Sequence, residues 1–89
     1  MISRQEIENI MKTFGLKPNE DIDFLYGNGF NLILLMYVKG TGEAAIWLGH
    51  GFSNWIVSKS TVIESLTNTI VRIKKEQMDK RLEKISNDF

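Results

Sequence analysis

The run FNLILLMYV, Phe30 to Val38, constrains the fold more than any other stretch of the chain. Its apolar residues do not alternate with polar ones, so a strand made from it is oily on both faces. Such strands lie in the middle of a covered sheet. The run is far too short to cross a bilayer as a helix. If Leu32, Leu34, Met36 and Val38 point one way, Ile33, Leu35 and Tyr37 point the other. Either each face receives its own helix, or two helices share one side and leave an aromatic-rich face free. Trp47 and Trp55 join whichever side the register assigns them.

The flanking sequence supplies the remaining strands. Ile22, Phe24 and Tyr26 alternate with Asp23 and Leu25, and Gly27-Asn28-Gly29 reads as a hairpin turn. KGTG at 39–42 reads as the next turn, Glu43 to Leu48 as a third strand, and Asn54 to Val57 as a short fourth.

Helices close both ends. Ser3 and Glu6 fit a capping box, with Ile2 and Ile7 placed to staple it. Ile7, Ile10, Met11 and Phe14 share one face, Gly15 is a left-handed stop, and Pro18 prevents a restart. The last third holds neither proline nor glycine from residue 61 to 89, and Thr61 with Glu64 again matches a capping box, Ser58 and Ser60 being alternative caps. About 25 helical residues reach roughly 37 Å, more than the roughly 30 Å breadth of a compact domain of this size. The apolar stripe Val62, Ile63, Leu66, Ile70 and Ile73 turns polar after Ile73. A second stripe, Val71, Met78, Leu82, Ile85 and Phe89, is rotated by about a quarter turn. The helix is expected to face the sheet first and a different neighbour afterwards.

The expected architecture is α+β: an N-terminal helix, an antiparallel meander of three or four strands and a long C-terminal helix. Residues 1–89 form a single domain, with 74–89 an overhanging helical extension.

Composition narrows the function. Eleven basic residues cancel eleven acidic ones, which removes the long-range field that drives non-specific nucleic-acid binding. With no cysteine and one histidine, thiolate chemistry and transition-metal sites are not expected, and no cofactor is expected. The start MISRQEIEN shows neither a basic nor an apolar signal region. The expectation is a soluble, cytoplasmic protein that does not engage a membrane.

Four groupings invite a chemical reading. His50 and Ser53, in WLGHGFSNW, resemble a base and a nucleophile, but only half of a nucleophile elbow is present, because Trp55 replaces its second glycine. A loop whose Ser53 or Asn54 bonds its own backbone explains the same residues. GTGEAA at 40–45 matches a dinucleotide-binding turn, but the six residues from Gly42 to Gly49 leave no space for the required helix. Glu20, Asp21 and Asp23 lack the spacing of a calcium loop and read as a solvated segment. Arg72, Lys74, Lys75, Lys80, Arg81 and Lys84 form a basic run interleaved with Glu76, Asp79 and Glu83, which offset it at i,i+4 spacing.

The function expected from these residues is a small non-enzymatic protein-interaction module, an inhibitor or regulator of a larger host machine. In size and style the chain looks like the small single-domain proteins of phages and other mobile elements. The residues expected to meet a protein partner are Met78, Leu82, Ile85 and Phe89, plus Tyr37, Trp47 and Trp55; a homodimer through the C-terminal helix is one form of that contact. The alternative is a nucleic-acid-binding accessory protein using Lys74, Arg81 and Lys84. A hydrolase-like site at His50 and Ser53 is the second alternative.

Overall fold

A computed structural model of the chain describes the backbone of residues 1–87 and the side chains of residues 1–77. Six elements follow in order: α1 (Arg4–Phe14), β1 (Lys17–Glu20), β2 (Phe24–Gly29), β3 (Leu32–Val38), β4 (Glu43–Ile46) and α2 (Lys59–Asn87). The strands make one antiparallel meander in the order β1-β2-β3-β4. The architecture is the expected α+β.

Helix α1 is bounded by local chemistry. Ser3 Oγ accepts from the Glu6 N–H, and Glu6 Oε1 accepts from the Ser3 N–H, both at 3.2 Å. At the other end Gly15 takes φ 70, and the N–H groups of Gly15 and Leu16 return to the carbonyls of Lys12 and Met11. Those bonds satisfy donors and acceptors that a helix end otherwise leaves to solvent.

Strand β1 is absent from the sequence reading, which treats Pro18 only as a helix stop. The strand is fully exposed and pairs with β2 through Lys17↔Asn28 to Glu20↔Leu25. Proline is tolerated there because β1 is an outer strand.

The first hairpin turn also differs from expectation. Gly27, Asn28 and Gly29 lie inside β2, and the turn is Phe30-Asn31, since Gly29 pairs with Leu32. Both turn residues have positive φ, 53 and 62, as a two-residue hairpin loop of the primed type requires. The glycines answer a different need. A Cβ on Gly27 would lie 2.9 Å from Leu16 Cδ1, and one on Gly29 would lie 3.0 Å from Leu16 Cδ2. Leu16, following α1, occupies the space that side chains would need.

Strand β3 does not alternate simply. The register slips between Gly27 and Asn28, leaving Leu34 unopposed in β3. This bulge puts Leu34 and Leu35 together in the core, where the alternation predicts opposite faces. The core gathers Leu25, Leu35, Tyr37, Ala44 and Ile46 from the sheet, Ile7, Ile10 and Met11 from α1, and Val62 and Leu66 from α2. Both helices therefore share one side. The opposite side carries Tyr26, Met36 and Ala45 in one row and Phe24, Val38 and Glu43 in the next. No helix among the described residues covers it.

Beyond β4 the chain doubles back. Ala44 and Ile56 exchange backbone bonds of 2.9 and 2.7 Å, and the Ser53 N–H donates to the Ile46 carbonyl. The expected strand at 54–57 is thus an irregular pairing along β4, with one more residue between its contacts than β4 has. Gly42 turns the chain at φ 72 and the residues directly after it form β4, not a helix, so GTGEAA is a turn leading into an antiparallel strand.

Helix α2 begins at Lys59, with the Val62 N–H donating to the Ser58 carbonyl. Thr61 and Glu64 sit inside it, and do not cap it. Val62, Leu66 and Thr69 are buried, with Ile70 and Ile73 packed against the core. Val71, first residue of the second stripe, is exposed. No helix among the described residues is long and apolar enough to cross a membrane.

Candidate protein-interaction surface

One end of the molecule combines the β2–β3 turn with the loop that follows β4. There Phe30, Leu32, Ile33 and Phe52 are 40%, 42%, 40% and 40% exposed. Trp47 lies among them, half-buried, with its ring edge-on to Phe52 at a centroid distance of 5.4 Å. Two adjoining clefts of about 330 Å³ each share Leu32 and Trp47. The first is completed by Phe30, Gly49, Arg72 and Ile73, the second by Ile33 and Phe52. Single exposed apolar residues are ordinary, but a contiguous group of large ones is the usual mark of a contact surface.

Each piece is held in position. The loop is pinned by Leu48 N–H donating to the Gly51 carbonyl at 2.8 Å, with Gly49 at φ 98. Thr69, buried in α2, donates its hydroxyl to the Trp47 carbonyl at 2.7 Å and ties the helix to the loop. Phe30 occupies the left-handed region. That conformation costs a bulky residue on the order of 1–2 kcal/mol relative to glycine. An Asn-Gly pair would turn the chain without that cost. The strain buys no core packing, since Phe30 stands half in solvent.

The sequence-predicted residues are scattered. Tyr37 is buried and donates its hydroxyl to the Ile2 carbonyl at 2.7 Å; it is a core residue and presents no surface. Trp55 is half-exposed beside Ile56, along the β4 edge and apart from the two clefts. Trp47 alone of the three lines them. Lys74 is exposed on α2. Met78, Leu82, Ile85 and Phe89, and likewise Arg81 and Lys84, lie outside the described side chains. Phe30, Leu32, Ile33 and Phe52 escape the sequence reading because the first three belong to a run that looks like continuous core.

His50 is exposed in the tight turn. Ser53 is committed elsewhere: its Oγ accepts from the Ile46 N–H at 3.0 Å and donates to the Asn54 carbonyl at 2.9 Å. No hydrogen bond joins His50 to Ser53 among the described residues. Glu20 receives Arg4, which also reaches Glu8 at 2.9 Å, and stands 3.8 Å from Lys39. No group of three potential metal ligands occurs among the described residues.

A larger groove, of about 630 Å³, runs between α1 and β1 over Met11, Leu16, Pro18 and Leu25. Its rim sets Arg4 and Lys12 against Glu8 and Glu20, and Arg4 is already paired with both acids. The hairpin-tip clefts differ: Arg72 has no ion pair among the described residues.

No protein-family model matches the chain, and no curated protein or solved structure matches it.

Proposed function

We propose that the chain is a protein-interaction module, acting without catalysis, whose contact surface is the hairpin-tip end. The observation that carries this reading is the contiguous exposure of Phe30, Leu32, Ile33 and Phe52 around Trp47. The presence of a strained aromatic at the turn supports it, because local stability alone favours another residue there. Inhibition or regulation of a larger host machine, in the manner of small phage and mobile-element proteins, is the finer form of this proposal. Self-association through Met78, Leu82, Ile85 and Phe89 is a further form, which light scattering decides.

The test compares capture of cellular proteins by the tagged wild type, by Phe30→Ser/Phe52→Ser, and by Ile22→Ser. Ile22 is the control, because it is fully solvated and lies at the opposite end of the sheet. Loss of a captured protein in the double variant alone supports the proposal. An identical set for all three removes the hairpin tip from consideration.

A further inference from the structure

The hairpin-tip surface has a chemical preference as well as an apolar one, and this inference rests on the reading above. The charges of the sheet are sorted by end. Glu20, Asp21, Asp23 and Glu43 gather where β1 ends and β2 and β4 begin, with Arg4 and Lys39 among them. The other end carries Lys17, beside Phe30 in a cleft with Asn28 and Asn31, and Arg72, beside Phe30 and Trp47 in the next. Glu76 is the one acid lining these clefts, and it forms no ion pair with Arg72 among the described residues. The guanidinium of Arg72 lies against Gly49, where a Cβ would be 3.7 Å from Arg72 Cζ. The head group itself thus borders the loop, and among the described residues it has no hydrogen-bond or ion-pair partner, which leaves its donors for an acceptor outside the chain.

We infer that the partner is an acidic segment of another protein carrying an aromatic or large aliphatic anchor. The anchor enters the Phe30–Leu32–Trp47 cleft, and a flanking carboxylate meets Arg72, with a second reaching Lys17. A guanidinium suits a carboxylate because its fork can give two parallel hydrogen bonds. The neighbouring aromatic surface lowers the local dielectric and strengthens the pairing. Charge at the rim then sets which partner docks, and the apolar cleft supplies most of the affinity.

Short synthetic peptides test this, with one Phe-Leu anchor flanked by Glu, by Lys or by Ser. Trp47 is the reporter, read by fluorescence in a Trp55→Phe background. The Glu-flanked peptide is expected to bind about tenfold tighter than the Lys-flanked one, and to weaken as salt rises. Arg72→Glu should reverse the order of the two. Phe30→Asn/Asn31→Gly should abolish binding while raising the melting temperature, which separates lost contact from lost fold. Equal binding of all three peptides overturns the acidic preference and leaves the apolar module intact. Failure of all three to perturb Trp47 overturns the partner chemistry, and the capture comparison then judges the module independently.

Discussion

At the scale of single residues, the hydroxyl of Ser53 shows how a grouping that resembles chemistry serves structure. Ile46 is wholly buried, and its N–H has Ser53 Oγ as acceptor. Ser53→Ala leaves that donor without a partner, so a loss of about 1–3 kcal/mol is expected, measured by urea unfolding. His50→Ala, at an exposed turn position, should move stability by less than about 0.5 kcal/mol. Comparable losses in both would contradict the assignment of Ser53 to the loop's framework. The sequence did indicate a serine bonded within its own loop. It could not indicate the buried amide across the β4 edge that makes the bond costly to lose.

Among the elements, legibility follows how local the cause is. Helix α1 was readable to the residue because its cap, staple and stop are all set by neighbours in the chain. Strand β1 was not, since its four residues carry no apolar pattern and pair only because β2 is there to receive them. The Gly27–Gly29 pair was misread for the same reason: its glycines answer to Leu16, which lies far from them in the local pattern. The capping box carries a pH signature. Glu6 is held below the ordinary glutamate range, first by the Ser3 backbone N–H, then by the Ser3 hydroxyl, with smaller help from Lys59 and the N-terminus. A carboxylate whose folded pKa is depressed stabilises above its unfolded value and loses that contribution as pH falls through the folded one. Glu6→Gln should therefore flatten the acid limb of a stability–pH curve obtained from urea midpoints. An unchanged limb would mean that the box holds no net preference for the charged form.

On the scale of the whole molecule, the described core is closed by residue 73. Val62, Leu66, Ile70 and Ile73 are the residues through which α2 meets the core, and they all precede Met78. A chain ending at Gln77 is expected to fold, with its melting temperature within about 5 °C of the full chain, a change of about 1 kcal/mol for a domain of this size. Collapse of that shorter chain in a thermal melt would show that the last dozen residues belong to the core. The sequence made the α+β layering legible, because the change of hydrophobic period from helix to strand and back is a whole-chain signal. The proposed contact surface was hidden from it. Phe30 and Phe52 are far apart in the chain and come to line adjoining clefts beside Trp47 only because the β2–β3 turn and the β4 loop lie at the same end of the sheet.

Pro18 adds a consequence of its own. Since proline has no N–H to give β2, the Pro18↔Gly27 pair must be one whose β1 nitrogen faces outward. A visiting strand sliding alongside β1 would meet a missing donor midway through its four residues. Lengthening of the sheet by backbone docking is blocked there, and concentrated solutions should not seed fibrils from that side. The proposed recognition would then fall to side chains at this edge, not to its backbone.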